Sequence, residues 1–203
     1  SALDKAVNLT DLSGTIEILN SGGITASGEF TDLYPDPDSD SYGMRMIKQS
    51  GVDATLAFTN SASGVISTAF DDAVVINDFN GANDNVTFSN EGIIIAVEDN
   101  AVNLSDSTVA NISNEGFIIS GGNYGLLLDN VSGASVVLSN LGAITAGTTE
   151  VGNAPAAIHG ELAASVTNIS ITNGASSVIG SVGNALANSN ANSGGTIFLD
   201  ATV

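Results

Sequence analysis

The residues whose types and spacing could do chemistry lie in Asp36-Pro37-Asp38-Ser39-Asp40-Ser41-Tyr42-Gly43. Carboxylates at alternate positions of a tight turn can converge on one cation, and Ca2+ takes six to eight oxygen ligands. Asp36, Asp38 and Asp40 are the candidate metal ligands, and Ca2+ is the one cofactor the sequence suggests. The stretch is not an EF-hand. No Gly stands at its sixth position, and Ile47 occupies the place of the bidentate Glu. The plain alternative is a solvated acidic loop.

Catalytic chemistry has less to work with. Hydrolysis of a glycoside needs carboxylates placed across the scissile bond, and Asp71-Asp72 is an adjacent pair. A lyase would need Arg or Lys as its base, but Lys5, Arg45 and Lys48 are the whole supply and all precede Asp71. His159 is the single histidine and reads as a surface or strand-end residue. The expectation is a non-enzymatic chain with no catalytic residues.

Charge narrows the partners. Twenty-two acidic residues face 3 basic ones, giving a net charge of −19. Phosphate backbones and anionic membrane surfaces both require Lys and Arg, so neither is an expected partner. Such a surface stays soluble by self-repulsion and attracts cations. The chain has no Cys, and no apolar run approaches the ~20 residues of a membrane-spanning helix. No leader-like segment stands at Ser1, which leaves open a mature chain, an excised piece or a cytosolic one.

The elements that must position any site are repeats. The phrase apolar-x-apolar-x-Asn, usually with Gly two places on, centres on Asn20, Asn60, Asn90, Asn114, Asn140 and Asn173. Asn114 follows Asn90 by 24 positions and Asn140 follows Asn114 by 26, while the other intervals carry insertions. A second phrase, a small residue followed by alternating apolar positions, lies between them. Tyr42-Gly43-Met44-Arg45-Met46, Ala73-Val74-Val75-Ile76, Ala101-Val102-Asn103-Leu104, Tyr124-Gly125-Leu126-Leu127-Leu128 and Ala156-Ala157-Ile158 carry it. Each repeat therefore holds two or three strands of 3 to 5 residues. Such a unit cannot bury its apolar face alone, so identical units must stack on it. Stacking at ~4.8 Å puts Ile on Ile and Asn on Asn. An inward Asn at a bend can bond the backbone and the Asn amide of the next coil. The Gly after it would permit a positive φ. An antiparallel sandwich with ordinary Asn-Gly turns is the competing arrangement, but hairpins do not require the same phrase on every repeat.

The pattern thus predicts an all-β fold: a right-handed, single-stranded parallel β-helix (β-solenoid) of about seven coils, one domain over residues 1–203. Inserted loops are expected near 25–41, 77–85, 147–155 and 183–195, with no interdomain linker. Ala6-Val7-Asn8-Leu9-Thr10-Asp11 nearly repeats Ala101-Val102-Asn103-Leu104-Ser105-Asp106, so the chain starts partway through a coil and ends on Thr196-Ile197-Phe198-Leu199-Asp200. Uncapped ends imply a piece of a longer solenoid or ends that join other copies. Ala6, Val7, Leu9, Ile197 and Leu199 are the candidate assembly residues.

Asn90-Glu91-Gly92-Ile93-Ile94 and Ser139-Asn140-Leu141-Gly142-Ala143-Ile144, each followed some ten residues on by "A-I" or "G-L", resemble the passenger domains of bacterial autotransporters and related surface β-helix proteins. The resemblance runs over roughly Val7 to Leu199. It implies a right-handed parallel β-helix displayed outside the cell and serving as adhesin, scaffold or carrier. That family's C-terminal membrane barrel has no counterpart in this chain. Asp71-Asp72 and His159-Gly160 also resemble fragments of the polygalacturonase pattern, but its Asn-Thr-Asp element and later Arg-x-Lys are missing.

The functional expectation is an extracellular or surface-displayed structural solenoid that joins copies of itself head to tail into a filament or layer. The first alternative is an adhesin that binds carbohydrate or a cell-surface receptor through its loops. The second is a polysaccharide-degrading β-helix enzyme.

Overall fold

The computed structural model describes residues 6–27, 42–147, 156–181 and 197–201. Nineteen strands and no helix occur among them. They follow one another in threes. The first coil holds β1 (Val7–Leu12), β2 (Gly14–Asn20) and β3 (Gly23–Ala26). The second holds β4 (Met44–Lys48), β5 (Ala54–Asn60) and β6 (Val65–Thr68), and the third β7 (Val74–Asn77), β8 (Asn85–Asn90) and β9 (Ile93–Ala96). Next come β10 (Val102–Ser105), β11 (Val109–Asn114) and β12 (Phe117–Ser120), then β13 (Leu126–Val131), β14 (Ser135–Asn140) and β15 (Ala143–Ala146). The sixth coil holds β16 (Ile158–Leu162), β17 (Asn168–Asn173) and β18 (Val178–Ser181), and β19 (Ile197–Ala201) begins a seventh.

Every third strand pairs with its predecessor, always in parallel, giving three sheets. Sheet A stacks β1-β4-β7-β10-β13-β16-β19, sheet B the six strands from β2 to β17, and sheet C the six from β3 to β18. The fold is a parallel β-solenoid of six complete coils with one further strand, three strands to the coil.

The core follows from register. Ile24, Ile66, Ile94, Ile118, Ile144 and Ile179 form one column through sheet C. In sheet B, Phe58 and Phe88 stack with ring centroids 5.0 Å apart, above and below which come Ile18 and Ile112. Like lies on like because the side chains of one column must share one shape of space. Ile66, Ile94, Ile118 and Ile144 are wholly buried, each removing roughly 2 kcal/mol of apolar surface from water.

Two corners differ from the sequence expectation. The Gly after the ladder Asn does not serve a positive φ: among the described glycines, Gly14, Gly51 and Gly133 have one. Gly92, Gly116 and Gly142 are needed because the coils approach closely there. A Cβ on Gly116 would strike the Gly92 carbonyl oxygen, and one on Gly142 the Gly116 carbonyl oxygen. The left-handed conformation occurs instead at the exit from sheet A, at Asp11, Asp78, Asp106 and Asn130 (φ 44 to 71°), residue types that tolerate it.

Of the expected loops, Thr25 and Ala26 belong to β3, and 28–41 lies outside the described residues, as do 148–155 and 183–195. The connection from β7 to β8 is a packed corner. Phe79 is wholly buried in it, and the carboxylate of Asp84 meets the Lys48 ammonium at 2.8 Å, both out of water. No helix of the described residues is long and apolar enough to cross a membrane.

Candidate functional site

Asx side chains line the corners of the solenoid, and two corners hold the chemistry. At the turn from sheet B to sheet C, the six predicted asparagines stand in one column. Each Nδ2 donates to Oδ1 of the Asn one coil on: Asn20 to Asn60, Asn60 to Asn90 and Asn90 to Asn114 at 2.8 Å, Asn114 to Asn140 at 2.7 Å, Asn140 to Asn173 at 2.8 Å. The Nδ2 of Asn90 and Asn114 also donate to the carbonyls of Gly92 and Gly116, both at 3.2 Å. Asn20, Asn60, Asn90, Asn114 and Asn140 are buried while Asn173 is exposed, and a buried amide that gives and takes in the same direction leaves no group unpaired. The column is a structural ladder, as its repetition implies.

The second corner lies between sheets C and A and repeats its residues only in part. Asp71-Asp72, Asp99-Asn100 and Asn123-Tyr124 occupy it in three successive coils, each pair just before a sheet A strand. The Ala73 N–H donates to the Asn100 carbonyl and the Ala101 N–H to the Tyr124 carbonyl, both at 3.1 Å, which locks the three turns in register. Asp71, Asp72 and Asp99 each bring a carboxylate oxygen within 4.8 Å of the others. Asp72 is buried. Its Oδ1 accepts from the Asn100 backbone N–H (3.1 Å) and Nδ2 (2.8 Å), and its Oδ2 from Asn103 Nδ2 (2.8 Å). Asp99 Oδ1 accepts from the Asn100 N–H at 2.8 Å and from Asn123 Nδ2 at 3.3 Å.

Burial first, and then the charges of Asp99 and Asp71, push the Asp72 carboxyl up to about 7, against the bonds from Asn103 and Asn100 that favour its charged form. The charge can be relieved by a proton on Asp72 or by a cation among the three carboxylates. The amide donors already take up much of the lone-pair capacity of Asp72. A cation there would draw mainly on Asp71 and Asp99 and complete its shell with water.

Asp84 shows the opposite outcome. Burial would raise its carboxyl, but the Lys48 ammonium and the backbone N–H groups of Ala54 and Gly81 outweigh that and hold it below the usual carboxylate range. At the exit from sheet A, Asp129 is raised by burial and by Glu161 and Asp106, with His159 offsetting part of the effect.

The other predicted residues are placed as follows. Asp36, Asp38 and Asp40 lie outside the described residues. Val7 and Leu9 are on β1 at one edge of sheet A, with Ala6 just before it, and Ile197 and Leu199 are on β19 at the opposite edge. His159 lies on β16, its ring stacked on Tyr124 (centroids 4.4 Å, 19°) and its Nε2 3.5 Å from Glu161 Oε1. Val75 and His159 share a column of sheet A but sit three strands apart, about 14 Å at strand spacing. The fold therefore does not bring Asp72, just before β7, beside His159. Asp99 was not singled out in the sequence, although a signal existed. Laying Ala73-Val74-Val75-Ile76 over Ala101-Val102-Asn103-Leu104 puts Asp71-Asp72 directly over Asp99-Asn100.

No family model matches the chain, and neither curated proteins nor solved structures provide a match.

Proposed function

We propose that the protein is a non-enzymatic structural solenoid, displayed outside the cell, that joins copies of itself head to tail. One observation carries this reading: the outermost described coils keep the inner coils' pattern but leave it half covered. Leu56, Phe58, Ile66, Val86, Phe88 and Ile94 are at most 2% exposed. Their equivalents Ile16, Ile18 and Ile24 in the first coil are half-buried, as are Ile171 and Ile179 in the sixth, where Ile169 is 38% exposed. Such rows gain most from another coil of the same pattern, since in-register stacking supplies both apolar cover and strand hydrogen bonds.

The seventh strand of sheet A sets the joint. β19 already occupies the place beside β16, so β1 of the following copy pairs with β19, Val7 against Ile197 and Leu9 against Leu199. For β2 and β3 of the following copy to cover β17 and β18, sheets B and C must be offset by one strand from sheet A at the joint. The contact is heterologous and does not close on itself, so it yields a filament. The net charge of −19 opposes it at low ionic strength, so cations or salt favour assembly. An exterior rich in calcium would provide them.

Because the chain has no Cys, cross-linking is a clean test. Asn8 and Phe198 share a register column of sheet A. Oxidation of the Asn8→Cys, Phe198→Cys double variant at high salt should give a ladder of disulfide-linked oligomers, which neither single variant can extend past a dimer. Negative-stain images should show filaments about one solenoid wide. Monodisperse monomers at high concentration with calcium present, and no ladder, would sink the reading.

A further inference from the structure

The outward face of sheet C takes no part in the ladder or the stacking ends. In an exposed sheet the outward positions are ordinarily polar. Here they are apolar on successive strands. Phe117 pairs with Ile93 on one side and Ala143 on the other, Ala143 pairs with Val178, and Ile119 pairs with Ile95. Phe117 is 52% and Val178 51% exposed. Strand spacing and rise make the strip roughly 13 Å by 19 Å, on the order of 250 Å². That is well under the ~800 Å² per partner of a standard protein interface, so it fits a short segment better than a second folded domain.

Its rim says what kind of segment. Glu91 and Glu115 are exposed one coil apart, each two residues before an outward apolar residue (Ile93 and Phe117). Glu98 and Asp99 follow β9 at the other margin, and Asp99 belongs to the carboxylate cluster with Asp71 and Asp72. The strip is thus apolar along its middle and acidic along both sides. A second copy of this chain would bring the same carboxylates against it, and an anionic lipid surface would be repelled. We infer that the outward face of sheet C is a docking surface for a short cationic polypeptide segment, whose apolar side chains cover Ile93, Ile95, Phe117 and Ile119 while its Lys or Arg residues reach the carboxylates at the two margins. This goes beyond the structural role proposed above and does not depend on it.

The test uses the full chain and three labelled synthetic peptides of equal length, alternating Lys with Leu, Lys with Ser, and Glu with Leu, read by fluorescence anisotropy. The Lys/Leu peptide binds, and more weakly as salt is added. The Phe117→Thr, Ile119→Thr variant weakens it by roughly tenfold or more. Thr is β-branched and suits an outward strand position. Glu91→Gln, Glu115→Gln weakens it as well and leaves the apolar strip intact, so a folding defect in the first variant does not decide the matter. Val137→Thr, outward on sheet B and 37% exposed, leaves binding unchanged. The inference is overturned if the Lys/Leu peptide does not bind or if the Lys/Ser or Glu/Leu peptide binds as well. It is also overturned if Val137→Thr weakens binding equally, or if light scattering shows that Phe117→Thr, Ile119→Thr dissociates a dimer held by this face.

Discussion

The two Asx corners solve one problem in two ways. Both stack polar side chains from successive coils about 4.8 Å apart, the first buried from Asn20 to Asn140 and the second buried at Asp72 and Asn100. The corner at Asn114 uses the amide, which donates and accepts, so each residue completes the next and the column can run through any number of coils. The corner at Asp72 uses carboxylates, which only accept when ionised. A buried carboxylate cannot complete a second buried carboxylate, so Asp72 is followed by Asn100 and then Tyr124, only the half-buried Asp71 is followed by another acid, Asp99, and the charge of Asp72 is left for a proton or a cation to relieve. Neutral, self-complementary groups make a corner that repeats. Acceptor-only groups make a corner that must be interrupted, and the interruption is where specific chemistry can arise.

The largest effect should come from carrying the acid into the amide corner. Asn114→Asp would set a carboxylate oxygen where Nδ2 now donates to Asn140 Oδ1 and to the carbonyls of Gly116 and Ala143. A loss of about 4 kcal/mol at neutral pH is expected, partly recovered below pH 5 as the new group takes a proton. Urea unfolding at the two pH values would measure it. If stability is unchanged at neutral pH, the ladder is not the continuous donor chain described above.

Next in size is the acid that does have a cation. Lys48→Met leaves Asp84 buried beside the Ala54 and Gly81 N–H groups with no countercharge. It should cost about 3 kcal/mol at pH 7. Asp84 has a depressed pKa in the folded state, so its contribution is present above the unfolded value and is lost as pH falls through the folded one. The variant should therefore lose much of the wild type's sensitivity to acid. Equal acid sensitivity in the two proteins would show that Asp84 is not its source.

The reverse transplant should stabilise. Asp72 is raised from 3.8 to about 7, so the folded state holds its proton longer than the unfolded chain does. Its contribution to stability is then lost as pH rises from about 4 to about 7 and stays lost above. Asp72→Asn removes that cost and is expected to gain about 2 kcal/mol at pH 8 with little change at pH 4. Asn103 Oδ1 is buried without a hydrogen-bond partner, so a flip of Asn103 would offer the new amide an acceptor. A variant less stable than the wild type at pH 8 would mean that the carboxylate is held ionised, by a cation.

The smallest effect expected is calcium's. Millimolar Ca2+ should raise Tm by about 2 °C at pH 8 by screening Asp71, Asp72 and Asp99, and EDTA should reverse it. The Asp99→Asn variant should lose that response. A response that survives in Asp99→Asn would assign calcium to a different set of oxygens.

Much of this fold is legible in the sequence, and the reason is local. Alternating apolar residues, a strand too short to stand alone and a phrase that recurs around Asn20, Asn60, Asn90, Asn114, Asn140 and Asn173 leave stacking as the only way to bury the pattern. The asparagine ladder follows from the same repetition. The site is less legible because its residues repeat only once, Asp71 as Asp99. Asp71 and Asp72 are adjacent in sequence, but Asp99 joins them only across one coil. That step is 28 residues here (71 to 99), while the ladder Asn pairs are 40, 30, 24, 26 and 33 apart. The insertions differ in length from coil to coil, so no single period can be read off to find which acids meet.

By itself the sequence determined the all-β stacked architecture, the inward columns and the amide ladder, because each is a local pattern multiplied by repetition. The tertiary structure alone decided three things. Three strands make up each coil. Gly92, Gly116 and Gly142 answer to the close approach of neighbouring coils, not to a positive φ. Lys48 neutralises Asp84 while Asp72 lies among acids. All three depend on which residues meet across a coil, and that is fixed by the path of the backbone between strands, which local periodicity does not encode.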